Sequence, residues 1–434
     1  MQFKRTALTL LAAASMTVAM ANDAPCGPWH GRLSVGLQRL RVVFDIGIDG
    51  TCTFDSPDQG ATGLPAELRL CTSDSLVVEM PGLNARFAGK VGQSAIVGRF
   101  TQGAYTFPLT LKPGTASVRR PQTPKAPFPY SVEDVAINAG DAVLSATLTR
   151  PAADSSARVP LVVLVSGSGL QNRDEEILSH RPFAVMADWL ARNGIASLRY
   201  DDRGFARSTG SNDSATTLTY AADAAAAVGY ARSIGEFASV GVLGHSEGGT
   251  IAFMLGARGC VDFVISMAGP AICGRDILLA QNRAIMIASG MPDSVVAKYC
   301  DALGVVLDGG CPSAADTESL PVRLSDNLVR VAGSMNPWIK HFVSYSPSGD
   351  ISAVRCPVFA FNGSLDVQVD AAANLGAIRR HLPAGEHNVV RCYEGLNHLM
   401  QHCSTGFPSE YGTIEETIAP EVLADIAAWI SSLQ

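Results

Sequence analysis

The chain contains one short glycine-rich segment whose spacing suits a nucleophilic serine. Residues 244–249 read Gly-His-Ser-Glu-Gly-Gly and directly follow an apolar run at 240–243. In the spacing Gly-x-Ser-x-Gly, the serine sits on a strained turn between a strand and a helix, where larger residues two places before or after it would clash. The segment therefore predicts that Ser246 is an exposed nucleophile.

A nucleophilic serine needs a general base, and in this arrangement the base is a histidine that comes last in the chain order Ser, Asp or Glu, His. His398 fits best, because it lies in a loop between the last predicted strand and the closing helix, at the sheet edge where Ser246 is expected. His402, four residues later, is the alternative base. Of the other histidines after Ser246, His381 is predicted on a helix surface, His387 before a strand, and His341 in an insertion.

The acid that orients the base should follow the strand predicted at 358–361. Asp366 lies in the segment directly after that strand. Asp370 is less suitable because its position is that of a helix cap, and Asp350 precedes the strand. We therefore predict a triad of Ser246, Asp366 and His398.

Acyl transfer also requires two backbone N–H groups that stabilise the oxyanion. One is expected at Glu247, directly after the nucleophile, and the other in the turn at 166–169, at Ser168 or else at Gly169. This turn is not predicted to hold phosphate, because the chain has neither the Gly-x-Gly-x-x-Gly pattern nor a phosphate-binding loop lysine. No cofactor and no metal are predicted, since the chain also lacks a Cys-x-x-Cys pair.

The elements around these residues have the pattern of an α/β fold. The continuous apolar run at 160–165 is typical of a strand that is covered on both faces, as in a parallel sheet. Strands and helices then alternate, which predicts a mostly parallel, doubly wound sheet. The predicted strands are 160–165, 195–200, 240–243, 261–266, 358–361 and 388–393, and the predicted helices are 183–193, 219–234, 249–258 and 421–433. The interval of about 273–345 is helical and lacks strands, so it is predicted to form a lid over the site.

The part of the chain before the α/β pattern has a different sequence pattern. Short alternating runs broken by glycines, between about 31 and 111, predict a small antiparallel β domain without catalytic residues. Five prolines between 112 and 130 predict an extended linker. The predicted organisation is a signal peptide at 1–21, a β domain at 22–111, a linker at 112–130 and an α/β domain with the helical lid at 131–434.

The N-terminus and the composition indicate an exported protein. Lys4 and Arg5 precede an apolar segment that ends in Ala-Met-Ala at 19–21, which predicts a signal peptide cleaved after Ala21 and no membrane span afterwards. We therefore expect a periplasmic or extracellular location, where an even number of cysteines favours disulfides. The ten cysteines lie at positions 26, 52, 71, 260, 273, 300, 311, 356, 392 and 403.

The charge of the chain limits the class of partner. The formal net charge of -7 argues against nucleic acid or an anionic membrane as the main partner, because both call for a basic patch. A small molecule is the expected substrate. The charged clusters at 172–175 and 201–203 are predicted to form ion pairs that brace loops.

Six segments, in this order along the chain, resemble those of bacterial carboxylesterase-type α/β-hydrolases related to the serine aminopeptidase and prolyl oligopeptidase superfamily. They are Ser166-Gly167-Ser168-Gly169, Asn172-Arg173-Asp174-Glu175, Tyr200-Asp201-Asp202-Arg203-Gly204, the segment 244–249, Leu365-Asp366-Val367-Gln368-Val369 and Leu396-Asn397-His398. The resemblance covers roughly 131–434. It implies that Ser246, Asp366 and His398 are nucleophile, acid and base. Ser166 stands where many relatives have histidine, and the N-terminal β domain resembles the extension of some secreted members.

Together these features predict a secreted serine hydrolase that cleaves carboxylic esters through an acyl-enzyme. Because the same triad also cuts amides, a serine peptidase or aminopeptidase acting on small peptides remains an alternative. A further alternative is a non-catalytic binding protein whose β domain captures a carbohydrate or a cell-wall partner.

Overall fold

A computed structural model of the protein describes residues 24–35, 38–59, 61–115, 119–152 and 158–434. The chain divides into two compact units, Met1–Ser117 and Val118–Gln434, and each is considered by itself. The predicted signal peptide lies outside the described residues. No helix in the described ranges is long and apolar enough to cross a membrane.

The first unit is a closed antiparallel barrel of eight strands. Each strand pairs with the next along the chain, and the first closes the ring by pairing with the last, with Trp29 opposite Pro113. The strands are β1 (Gly27–Val35), β2 (Gln38–Ile46), β3 (Cys52–Ser56), β4 (Ala61–Cys71), β5 (Ser75–Met80), β6 (Ala85–Val91), β7 (Ile96–Gln102) and β8 (Tyr105–Pro113).

The alternating pattern of these strands fills the barrel interior. Every second residue of β5 is buried, because successive side chains of a strand point to opposite faces. Four phenylalanines from different strands, Phe44, Phe54, Phe87 and Phe100, contact one another inside the barrel, with ring centroids 5.1–6.0 Å apart. The predicted antiparallel β domain is therefore confirmed as a barrel with an aromatic core.

The second unit is built on a sheet of eight strands in the order β16-β15-β14-β13-β11-β12-β10-β9. The six strands from β11 to β16 pair in parallel, whereas β9 and β10 are antiparallel at one edge. The strands are β9 (Ser131–Ala139), β10 (Ala142–Arg150), β11 (Leu161–Val165), β12 (Ala196–Tyr200), β13 (Val240–His245), β14 (Val264–Met267), β15 (Val358–Gly363) and β16 (Val389–Tyr393).

Helices cover both faces of this sheet. They are α1 (Pro182–Arg192), α2 (Thr217–Ile234), α3 (Glu247–Ala257), α4 (Gly274–Ala288), α5 (Asp293–Leu307), α6 (Ala314–Thr317), α7 (Val322–Gly333), α8 (Pro337–Ser344), α9 (Ser348–Ala353), α10 (Ala371–His381), α11 (Pro408–Tyr411) and α12 (Pro420–Ser431). Side chains of α2, α3 and α10 pack with one face of the sheet, and those of α1 and α12 with the other. In β11, Val163 belongs to the first cluster and Val162 to the second, which explains the continuous apolar run.

The alanine-rich helix α2 shows how local signals set its bounds. Thr216 precedes the helix and forms a reciprocal capping box with Thr219. Gly235 follows the last helical residue and adopts a left-handed conformation with φ of 75° that glycine allows without strain. Small side chains between these ends let the helix pack closely on the sheet, and the fully buried ones are Ala221, Ala224, Ala227 and Ala231.

Helices α4–α8 form the helical insertion between β14 and β15, which we call the lid. The lid has a small apolar cluster of its own, centred on Tyr299, Leu303 and Leu328. The predicted fold class is therefore confirmed: the second unit is an α/β-hydrolase fold with a helical insertion.

The proline-rich segment is bound to the second unit from Arg120 onward. The Arg120 guanidinium donates to the carbonyl oxygens of Leu178, Gly412 and Ile414. Gln122 also bonds to the backbone at Ile418. This part of the predicted linker is thus fixed along the surface of the α/β unit.

The ten cysteines are all described, and the structure joins none of them in a disulfide. Cys52 and Cys71 lie buried in the barrel, where burial raises the pKa of both thiols. The expectation of disulfides is therefore not met in this structure.

Candidate active site

Ser246 lies on a sharp turn between a strand and a helix. It directly follows β13 and precedes α3, and its backbone has φ of 53° and ψ of -124°. Such a conformation costs a residue with a side chain about 1–3 kcal/mol, so it persists only where the surrounding structure enforces it. The turn is held by the Ser246 N–H, which donates to the carbonyl oxygen of Met267 at 2.9 Å.

The two glycines that flank the turn are required by close backbone packing. A Cβ atom on Gly244 would lie 1.8 Å from the carbonyl oxygen of Gly248. A Cβ atom on Gly248 would lie 2.2 Å from the carbonyl oxygen of Val165 in β11. These distances account for the Gly-x-Ser-x-Gly spacing on steric grounds.

His398 and Asp366 form a buried pair next to this turn. His398 Nδ1 lies 2.8 Å from Asp366 Oδ2. The other carboxylate oxygen of Asp366 accepts hydrogen bonds from the backbone N–H groups of Gln368 and Val369, at 2.8 and 2.9 Å. Because the carboxylate is fixed on both oxygens, it holds the imidazole with Nε2 directed away from it.

Two loops at the carboxyl ends of β15 and β16 bring this pair together. The Leu365 N–H donates to the carbonyl oxygen of Leu396 at 2.9 Å, which joins the loops. Within the second loop, the side chain of Asn397 accepts from the backbone N–H groups of Leu399 and Gln401. His398 is therefore held on a loop that its neighbour Asn397 organises.

The other candidate bases and acids lie in different settings. His402 is exposed and bonds to Glu416 and Glu421 at 2.9 and 3.1 Å. Asp370 caps α10 by accepting from the Ala373 N–H, as expected. The remaining candidates lie in or near helices: His341 in α8, Asp350 in α9, His381 at the end of α10, and His387 before β16.

Ser246 and His398 line one cavity of about 260 Å³. The lid contributes apolar walls from α4 and α8, through Ile277, Trp338 and Phe342. The Trp338 and Phe342 rings stack with centroids 5.5 Å apart. The cavity thus offers an apolar surface beside the proposed nucleophile.

Trp338 also borders a second cavity of about 250 Å³. Leu170, Tyr220 and Asn336 line this cavity, whereas Phe342 does not. Trp338 therefore lies between the two cavities.

The predicted oxyanion donors lie around Ser246. Gly167 approaches so closely that a Cβ atom on it would be 3.0 Å from the Ser246 Cβ, and Ser168 lines the cavity. Gly169 borders the second cavity instead. Glu247 is the first residue of α3, where a helix leaves its N–H groups without intrahelical partners. The arrangement favours Ser168 over Gly169 as the second donor, and both roles stay predictions.

The side chain of Glu247 has a structural role that the sequence did not reveal. Its buried carboxylate accepts hydrogen bonds from Thr217 Oγ1 at 2.7 Å, Ser168 Oγ at 2.9 Å and Trp338 Nε1 at 2.9 Å. These donors come from α2, from the lid and from the turn at 166–169, which holds the predicted second oxyanion donor and is called the oxyanion turn below. Glu247, the residue after Ser246, therefore connects the lid to the oxyanion turn.

A second buried histidine–carboxylate pair lies next to the first. His245 Nδ1 is 2.9 Å from Glu175 Oε1, and both residues are buried. Neither residue was predicted to form a histidine–carboxylate pair. The only signals were the position of His245 beside Ser246 and the presence of Glu175 in a charged segment.

The charged segments near the site form ion pairs, which confirms their predicted bracing role. Arg173 makes a buried bidentate pair with Asp201, at 2.7 and 3.0 Å. Arg203 makes another with Asp223, with both contacts at 2.7 Å. Asp202 instead accepts from Ser166 Oγ and the Gln171 N–H, so it braces the oxyanion turn.

No group of three or more His, Cys, Asp or Glu residues in the described ranges is arranged to hold a metal ion. The chemistry that the arrangement supports is nucleophilic attack by a serine assisted by a histidine–carboxylate pair.

Part of the chain is similar to known hydrolases. Residues 179–302 match the model of the family described as serine aminopeptidase, S33. The esterase EstD of Thermotoga maritima is 25% identical over 314 residues, which cover 70% of this chain and 68% of that protein.

Solved esterase structures also align with the chain. Est1E of Butyrivibrio proteoclasticus, solved with ferulic acid, is 16% identical with a TM-score of 0.42, over 69% of this chain and 97% of that chain. An esterase of Pyrococcus furiosus is 15% identical with a TM-score of 0.44, over 74% of this chain and 99% of that chain.

The sheet order and the family match over 179–302 confirm the resemblance noted from the sequence. The second unit thus has an α/β-hydrolase fold, and its residues 179–302 are similar to the serine aminopeptidases of family S33, while the first unit is an antiparallel β barrel.

Proposed function

We propose that the protein is a serine hydrolase that cleaves small carboxylic esters through an acyl-enzyme. The observation that carries this proposal is the placement of the strained Ser246 turn and of His398, whose Nδ1 pairs with Asp366, on a single cavity. The N-terminal sequence supports export as part of the same proposal, and N-terminal sequencing of the secreted protein tests cleavage after Ala21.

In the proposed mechanism, His398 Nε2 accepts the proton of Ser246 Oγ as the oxygen attacks the ester carbonyl. Asp366 holds the imidazole in the tautomer that leaves Nε2 free and stabilises the imidazolium that forms. The N–H groups of Glu247 and Ser168 bind the oxyanion. His398 then protonates the leaving alcohol, and a water molecule activated by the same base releases the acid.

The cavity favours an uncharged substrate with a short apolar group. Its lid walls are formed by Ile277, Leu278, Trp338 and Phe342, and its volume of about 260 Å³ limits the size of the group that fits. Burial of apolar surface contributes about 0.8 kcal/mol per methylene. We therefore expect kcat/KM to rise with acyl length until the cavity is filled and then to fall.

The surroundings of the cavity favour an ester over a peptide with a free amino terminus. Recognition of an ammonium group would need an available carboxylate, and the described lid residues that line the cavity include none. Glu175 is buried and pairs through Oε1 with His245 and Gly167, and the carboxylate of Glu247 accepts from three donors. The name of the esterase relative also supports ester hydrolysis.

The test compares p-nitrophenyl esters of increasing acyl length with amino-acid p-nitroanilides, using the purified protein and Ser246→Ala. We expect ester turnover and fluorophosphonate labelling, both lost in the variant, with slow or absent anilide cleavage. Faster cleavage of the anilides would identify a peptidase. Absence of both turnover and labelling in the unsubstituted protein would instead support a binding protein.

A further inference from the structure

The Glu175–His245 pair lies between three segments of the proposed active site. His245 Nδ1 faces Glu175 Oε1 at 2.9 Å, and His245 Nε2 faces the main-chain carbonyl oxygen of His398 at 3.0 Å. Glu175 Oε1 also accepts the N–H of Gly167 at 2.8 Å. One pair thus touches the turn that bears Ser246, the loop that bears the base and the oxyanion turn.

The contacts of His245 define its protonation. A neutral imidazole has one N–H and one lone pair, whereas a protonated imidazolium has two N–H donors. Both ring nitrogens of His245 face oxygen atoms, and the carbonyl of His398 can only accept. A neutral ring would therefore leave a lone pair against an oxygen lone pair unless Glu175 itself carried the proton.

The electrostatic surroundings favour a proton on His245. Burial acts to lower the pKa of His245, but the charge and hydrogen bond of Glu175, the carbonyl of His398 and the charge of Asp366 together raise it above the usual value. The other titratable group beside it is the His398 ring, whose centroid is 4.9 Å away. With Glu175 ionised, the Glu175–His245 pair has no net charge and adds none beside His398.

We propose that Glu175 and His245 are positioning residues. An imidazolium at His245, paired with the Glu175 carboxylate, holds the loop that bears His398 and the oxyanion turn in fixed positions relative to Ser246. This inference rests on the proposed serine hydrolase function. The pair acts through other residues: Glu175 fixes Gly167, whose neighbour Ser168 is the predicted oxyanion donor, and His245 fixes the backbone of His398.

The protonation state can be measured directly on the whole protein labelled with 15N-histidine. At about pH 7.5, above the ordinary histidine pKa of about 6.5, both ring nitrogens of His245 should show mainly the chemical shifts of protonated nitrogen. The His245 signals are identified by their loss in His245→Asn. An unprotonated Nδ1 or Nε2 at this pH would overturn the proposal, whatever the enzymatic activity.

The kinetic test uses Glu175→Gln. A glutamine oxygen can accept from Gly167 but leaves His245 without a counter-charge, so one of the three contacts must be lost. Loss of a buried hydrogen bond to a charged group predicts that kcat falls roughly ten- to hundredfold, with KM changed by less than about threefold. In this variant His245 should lose one ring proton at the same pH.

The chain offers a matched control in an exposed pair of the same type. His402 Nδ1 lies 2.9 Å from Glu416 Oε1, and the His402 side chain is 56% exposed. Glu416→Gln should leave kcat unchanged. An unchanged kcat in a folded Glu175→Gln protein would contradict the positioning role, whereas turnover in Ser246→Ala would contradict the proposed function itself.

Discussion

Asp202 should make the stability of the protein depend on pH in a direction unusual for an aspartate. Burial raises the pKa of its carboxyl to about 7, against a usual value of 3.8. Hydrogen bonds from the Gln171 N–H and Ser166 lower the pKa, and the nearby charges of Glu175 and Asp223 raise it further. Neither hydrogen-bond donor is a cation, so no positive partner offsets the burial.

The sign and size of the effect follow from linkage. Because the folded protein binds the proton more tightly than the unfolded chain, the stability from protonated Asp202 is fully present below about pH 4 and is lost as pH rises through about 7. A rise in pKa from 3.8 to about 7 corresponds to about 4 kcal/mol, at 1.36 kcal/mol per pH unit. Above pH 7 the folded protein must hold a buried carboxylate.

Asp202→Asn removes this titration but keeps a side chain of similar shape. The amide keeps one acceptor oxygen, so a constant loss of about 1–3 kcal/mol is expected at all pH values. Urea unfolding at a series of pH values measures the free energy of unfolding of both proteins. Between about pH 4 and about pH 8, the difference between the two free energies should change by about 4 kcal/mol in favour of the variant. Parallel curves over this range would show that Asp202 is already ionised in the folded protein, and would refute the reasoning.

The adjacent Asp201 provides a control of opposite sign. Burial acts to raise the pKa of Asp201, but its hydrogen bonds and charge interaction with Arg173 lower it overall. Asp201→Asn should therefore destabilise the protein near neutral pH by about 3–5 kcal/mol, because it removes the buried carboxylate that pairs with the Arg173 guanidinium. This difference should shrink as pH falls through the lowered pKa.

Three further outcomes follow from the site. Asp366→Asn should lower kcat by roughly 10⁴-fold with little change in KM, because the amide favours the wrong tautomer of His398. Steady-state kinetics with a p-nitrophenyl ester measure both constants. A loss of kcat below about tenfold would contradict the assignment of Asp366 as the acid of the triad. Trp338→Ala should join the two cavities and move the preferred acyl group to longer chains in a p-nitrophenyl ester series. Phe342→Ala alters only the first cavity and should shift the preferred chain length less. Equal shifts in the two variants would contradict the dividing role of Trp338. Gly248→Ala should abolish folding of the α/β unit, seen as loss of soluble protein, because its Cβ would lie 2.2 Å from a carbonyl oxygen.

Much of the α/β unit could be predicted because its signals are local. The continuous apolar run at β11 and the capping residues of α2 mark elements that the structure contains within a few residues of the predicted bounds. The Gly-x-Ser-x-Gly spacing identifies the turn because its glycines are fixed by atoms only a few residues away or in the next strand. The chain order then narrowed the acid and base to Asp366 and His398, which the structure brings to hydrogen-bond distance.

The features that sequence could not reveal depend on contacts between distant segments. Glu175 and His245 are 70 residues apart, and His245 and His398 are 153 apart. The closure of the barrel likewise requires β1 to meet β8, which no alternating pattern within a strand can specify. The disulfide expectation rested on the number of cysteines alone, and a count contains no information on the distances between them.

The hydrogen bond between Trp338 and Glu247 limits how this protein can be engineered. Lids of hydrolases are attractive targets for grafting, since a new insertion can supply a new pocket. Here, however, a lid side chain donates to the carboxylate of the residue directly after Ser246, so a graft without a donor at that position would leave part of a buried carboxylate unsatisfied beside the oxyanion turn. A transplanted lid should therefore carry an indole or another N–H donor at the place of Trp338, or be combined with a neutral residue at 247.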